Sequence, residues 1–187
     1  GRIKPMHGIG QPPMSFLSTS LFHYLKEAMK RLHEEHPEWA RKLGVVLLGK
    51  NTDSSMYHDI PFEVYPLSYI SDEKQLTNIY NAVDIYAIPS LQDNLPNTIV
   101  EAMACGVPCI GFHVGGIPEM IDHLHNGYIA EYKDVGDFAA GIHWLLTEGE
   151  YDILSREAAR KAVNTYGENS VAMKYIGIYN RITGKNE

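Results

Sequence analysis

Apolar side chains recur every three or four positions across residues 15–35, at Leu17, Leu21, Leu25, Ala28 and Leu32, and Phe22 and Met29 widen the stripe. That period predicts an amphipathic helix, with Ser15 or Ser18 able to cap its start. The next apolar run, 45–48, ends at Gly49; it is too short for a helix and suits a strand buried on both faces. A weaker strand is predicted at 62–65, between Pro61 and Pro66. Ser71, Asp72 and Glu73 then supply a cap and an acidic first turn for a helix through Leu76, Ile79 and Tyr80. Residues 84–88 read as a strand stopped by Pro89, and 96–105 as a helix closed by Gly106 with Pro108 beyond it. A strand at 109–112 follows, and Gly115-Gly116 leads into a helix carrying Pro118 in its first turn. Asn126-Gly127 turns the chain into a short strand at 128–130. From 134 to 182 the pattern predicts three helices, with stripes such as Val135, Phe138, Ala139, Ile142 and Leu146.

Short strands alternating with helices predict an α/β fold, a Rossmann-like parallel sheet flanked by helices, as a single domain over 1–187. In such a sheet, ligands sit beyond the carboxyl ends of the strands. That rule selects the loops at Gly49, 68–70, 90–97 and 113–117. The opening stretch, 1–13, is basic and rich in Pro and Gly, with no apolar strand visible. The expectation is therefore a piece of a longer protein that has lost its first strand and exposes a sheet edge.

Composition narrows the classes. Sixteen basic against 23 acidic side chains give a net charge of −7, which argues against a phosphate-backbone footprint and so against nucleic acid as a partner. No apolar run approaches the roughly 20 residues that span a bilayer, and no signal segment opens the chain, so a cytoplasmic domain is expected. Cys105 and Cys109 form no C-x-x-C pair; neither a disulfide framework nor a zinc site is indicated, and both read as packing residues. His123 and His125 lack acidic or Cys ligands at helical spacing, so they read as surface histidines. His113 follows a strand end and faces the presumed cleft. Tyr166, Tyr175 and Tyr179 lie at spacings suited to packing.

Most chemical information lies in 87–101, where a strand ends, a polar loop follows and a helix begins at Pro96 or Asn97. Free N–H groups and the positive end of the helix dipole make that start a seat for a phosphate. Asp93 stands just before it and Glu101 one turn inside. Ile99, Val100, Met103 and Ala104 are assigned to the buried side, leaving Glu101 on the face of Asn97 and Cys105. A carboxylate there can accept two hydrogen bonds from a ribose diol.

The run from Asp93 to Glu101, continuing as Ala102-Met103-Ala104-Cys105-Gly106-Val107-Pro108, Gly115-Gly116-Ile117-Pro118-Glu119 and Asn126-Gly127-Tyr128, resembles the retaining glycosyltransferases of family 4. The resemblance covers most of the chain, with 45–49 and 69–71 fitting the strands before it. It implies the C-terminal, donor-binding domain of the two-domain GT-B architecture, with the acceptor domain absent. By that resemblance Asp93 and Glu101 are the catalytic acidic pair, Glu101 binding the ribose hydroxyls and Asp93 the transferred sugar. Asn94, Leu95, Asn97 and Thr98 would hold sugar and β-phosphate by their amides, Tyr69 and Ile70 would meet the base, and His113 and Gly115 would also contact the donor. Asp93 departs from the family's usual glutamate. So does the diphosphate clamp, a Gly-Arg followed by Lys: Gly1-Arg2 with His7 fits the spacing with His for Lys, while a rival alignment puts Ser20 there.

The implied function is transfer, with retention and without a metal or other cofactor, of a hexose from a UDP- or GDP-sugar to a saccharide or lipid-linked acceptor. A non-catalytic module that binds the nucleotide sugar is the alternative, and a sugar-nucleotide epimerase of the same architecture a third reading.

Overall fold

A computed structural model describes residues 6–7, 19–49 and 54–183. Six parallel strands form one sheet, β1 (Met6–His7), β2 (Gly44–Leu48), β3 (Glu63–Leu67), β4 (Tyr86–Ile88), β5 (Cys109–Phe112) and β6 (Gly127–Ala130), in the order β3-β2-β1-β4-β5-β6. The helices are α1 (Thr19–Glu35), α2 (Ser54–Tyr57), α3 (Glu73–Asn81), α4 (Asn97–Ala104), α5 (Ile117–Met120), α6 (Val135–Thr147), α7 (Tyr151–Lys161) and α8 (Glu168–Thr183). The strand order reverses at β1, as in doubly wound nucleotide-binding sheets, and places the ligand crevice beside that switch point.

One sequence expectation is overturned here. The first strand is not missing: Met6 and His7 pair with Val45 and Val46 on one side, and His7 pairs with Tyr86 on the other. Two residues between prolines and glycines show no hydrophobic period, so this central strand leaves no pattern to read.

Side chains along the central strands alternate between two cores. Ile85, Ala87, Ile110 and Phe112 pack with Leu25, Met29 and Leu32 of α1 and Phe138, Ala139 and Ile142 of α6. Tyr86, Ile88 and Cys109 point the other way, onto Tyr80, Ile99, Met103 and Ile117. Both faces are therefore apolar, which is why 84–88 and 109–112 read as continuous rather than alternating runs.

Caps set the helix limits that matter for the cleft. Asp72 accepts a hydrogen bond from the Gln75 N–H at 2.8 Å and starts α3. At the far end of α4, Gly106 sits at φ +72°, its N–H donating to Met103 and that of Val107 to Ala102, the paired bonds of a Schellman motif.

The carboxy-terminal region departs from expectation at one point: a π-helical turn, Ala162–Tyr166, interrupts the run between α7 and α8. None of α8 is buried; Tyr166 packs against the core, and Tyr175 and Tyr179 are exposed. Among the described residues no helix is long and apolar enough to cross a membrane.

Candidate functional site

A cleft of about 440 Å³ opens beyond the carboxyl ends of β2, β3 and β4, a size within the roughly 300–1,000 Å³ of small-molecule sites. Leu48 and Gly49 at the end of β2, and Tyr69 and Ile70 after β3, form one wall. Asp93, Leu95, Pro96, Asn97, Thr98 and Glu101 form the other. Seven of the residues read from sequence, Tyr69, Ile70, Asp93, Leu95, Asn97, Thr98 and Glu101, thus meet around one cavity. Asn94, His113 and Gly115 are not among its lining residues. Arg2 lies outside the described residues, as does the side chain of His7.

The loop before α4 is held from beneath. Its Asp93 carbonyl accepts the Gly116 N–H at 3.2 Å, and its Leu91 carbonyl accepts the Tyr132 hydroxyl at 3.2 Å. Gly115 lies at φ +55°, and a Cβ built on it would collide with the Asp93 carbonyl; one on Gly116 would collide with that of Asn94. The glycine pair lets two main chains touch, which fixes where Asp93 stands. His113 extends the β5–β6 ladder, its N–H donating to Ala130 at 2.7 Å, and its exposed side chain lies off the cleft.

Among the described residues no side-chain cap bond closes the start of α4, whose N-cap is Pro96. Its first residues, Asn97 and Thr98, line the cleft, so the positive end of the helix dipole is directed at whatever occupies it. Along α4, Ile99, Ala102 and Met103 are buried. Ala104, expected on the buried side, is exposed, because the helix turns about 100° per residue and carries it past the core face.

Glu101 is half-buried and faces the cleft. Its Oε2 accepts a hydrogen bond from the Tyr80 hydroxyl at 3.1 Å. Tyr80 closes α3, also lines the cleft, and packs edge-on against Tyr86 with ring centroids 6.0 Å apart. Burial pushes its phenol far above the usual range, so it remains a neutral donor. Hydrophobic spacing places Tyr80 only in a helix stripe, and a separation of 21 positions from Glu101 hides their contact.

Asp93 is half-buried as well, and burial raises its carboxyl pKa, opposed by hydrogen bonds from the Asn94 backbone and the Ser90 side chain. A raised folded-state value means that ionising Asp93 at neutral pH costs stability, a cost removed as pH falls through that value. Asp93→Asn is therefore expected to melt at or slightly above the parent temperature, which a thermal scan at pH 7 checks.

Both thiolates are disfavoured: burial raises the pKa of Cys105, with Glu101 adding to the shift, and burial alone raises that of Cys109. Among the described residues no three His, Cys, Asp or Glu side chains gather in a metal-binding group.

Residues 17–148 match the family model described as "Glycosyl transferases group 1". A curated relative from Campylobacter jejuni, N,N'-diacetylbacillosaminyl-diphospho-undecaprenol alpha-1,3-N-acetylgalactosaminyltransferase, is 24% identical over 174 residues, covering 92% of this chain and 45% of its own length. Among solved structures, a glycosyltransferase from Rickettsia africae superposes with a TM-score of 0.78 at 18% identity, over 100% of this chain and 49% of that one. HepE of Anabaena, solved in complex with UDP and glucose, superposes with a TM-score of 0.67 at 18% identity, over 96% of this chain and 48% of that one. The chain thus spans about half the length of the proteins it matches.

Proposed function

The chain belongs to the group 1 glycosyltransferases, and on that footing we propose that it is the donor-binding half of a retaining, metal-independent hexosyltransferase using a UDP- or GDP-sugar. The observation that carries the reading is the meeting of Asp93, Glu101 and the uncapped start of α4 around one cleft. A nucleotide diphosphate sugar has three polar parts, and the cleft offers a distinct group to each. Glu101 accepts hydrogen bonds from the ribose hydroxyls, the amides of Asn97 and Thr98 meet the diphosphate, and Asp93 accepts from hydroxyls of the transferred sugar. Tyr69 and Ile70, on the opposite wall, meet the base. The other half of the protein brings a saccharide or lipid-linked acceptor to the donor at the cytoplasmic side. Transfer depends on that positioning, so the chain alone binds donor and turns it over slowly.

Calorimetric titration with UDP, GDP, ADP and their glucose conjugates tests the proposal. Binding of UDP or GDP is expected, with the sugar conjugate tighter than the bare nucleotide. No binding at millimolar concentrations would sink it. Asp93→Ala is expected to weaken the sugar conjugate about tenfold, the worth of one charged hydrogen bond, and to leave the bare nucleotide unchanged. Equal losses for both ligands would contradict the division of roles.

Acidity supplies a second check. Asp93 accepts from the sugar most strongly when ionised, and burial raises its pKa. The affinity ratio between conjugate and bare nucleotide is expected to be largest near pH 7 and to shrink as pH falls through the Asp93 value. A ratio that stays constant as pH falls through the carboxylate range would argue against an ionised Asp93 on the sugar.

A further inference from the structure

We propose that Tyr80 is a positioning residue for donor binding: its hydroxyl holds one oxygen of Glu101 so that the carboxylate is presented to the ribose in a single orientation. The inference rests on the reading of Glu101 as the ribose acceptor, and deepens it. A glutamate on a helix has three rotatable side-chain bonds, and fixing it on binding costs conformational entropy. Here the fixing is done before any ligand arrives. Tyr80 is 3% exposed, wedged against Tyr86, and ends α3, an element separate from α4. Its hydroxyl meets Glu101 Oε2 at 3.1 Å at the wall of the cleft. A neutral phenol suits the task, since it donates without adding a charge that would compete with the ligand. A carboxylate carries about four lone-pair sites, so the Tyr80 hydroxyl leaves others for the ribose.

Tyr80→Phe tests this while keeping the ring that packs on Tyr86. The chain and its variants are titrated with UDP and GDP, and with the 2′,3′-dideoxy forms of each. Tyr80→Phe is expected to weaken the ribonucleotide about 5- to 10-fold, within the net range of a single hydrogen bond. The dideoxynucleotide, which has no hydroxyl for Glu101 to accept, should be unaffected. In a Glu101→Ala background, adding Tyr80→Phe should cost nothing more. Equal losses for ribo- and dideoxynucleotide would mean that Tyr80 acts on the ligand or the fold rather than through Glu101, and would overturn the inference. So would an unchanged ribonucleotide affinity. If Glu101→Ala itself leaves ribonucleotide binding intact, the ribose reading fails and Tyr80 falls with it; if only Tyr80→Phe is silent, the ribose reading stands.

Discussion

Glu101→Ala is expected to weaken UDP or GDP by roughly 30- to 150-fold, and the corresponding sugar conjugate by the same factor. Two ribose hydroxyls lose a charged acceptor, and hydrogen bonds to charged groups contribute about 1.5–3 kcal/mol each, part of which water restores in an open cleft. A net of about 2–3 kcal/mol corresponds to that range of affinities. Equality between bare nucleotide and conjugate is the sharper half of the expectation. It separates Glu101 from Asp93, whose loss should register only when a sugar is attached. Titration of both ligands against the variant decides it, and a loss confined to the conjugate would move Glu101 to the sugar and leave the ribose without a partner. The fold should survive, because α4 keeps its buried face of Ile99, Ala102 and Met103.

Gly115→Ala is expected to do more damage than its single methyl suggests. The residue sits at φ +55°, where an L side chain costs about 1–2 kcal/mol. Its Cβ would also occupy the space of the Asp93 carbonyl, so the loop carrying Asp93 must move. Melting should fall by about 5–10 °C, the consequence of about 2–3 kcal/mol in a domain of this size. Affinity for the sugar conjugate should fall about tenfold, the loss expected of Asp93→Ala, since a displaced loop forfeits the same contact. Gly177→Ala in α8 is the control: nothing lies within 4 Å of its Cβ position, and an alanine inside a helix adds about 0.5–1 kcal/mol. It should melt no lower than the parent and bind as the parent does. A Gly115→Ala chain that binds the conjugate normally would show that the loop adapts and that the glycine has no part in placing Asp93.

The features legible in the sequence are those written locally. Asp72 before an acidic turn, Gly106 after an apolar helix and the uninterrupted run 109–112 each encode a cap or a doubly buried strand within a few residues, and each is found where expected. The candidate cleft follows from the rule that places ligands beyond strand ends, which selects the loops supplying Gly49, Tyr69, Ile70, Asp93, Leu95, Pro96 and Asn97 to its walls. The misses have a common physical origin in contacts between distant segments. β1 is held by its two neighbours and not by its own composition. Tyr80 reaches Glu101 only because α3 and α4 lie on the same face of the sheet. The duty of Gly115 depends on a second main chain passing over it. Ala104 shows the converse: an apolar residue beside a buried helix face does not specify that anything will cover it.

The reversal of strand order at β1 gives the domain a seam. β2 and β3 lie on one side of it and β4, β5 and β6 on the other, and His7 against Tyr86 is the pairing that joins β1 to the second wing. Gly49 and Tyr69 come from the first wing, Asp93 and Glu101 from the second. A molecule gripped by both would therefore act as a rivet across the narrowest join, and opening the sheet there would first require letting it go.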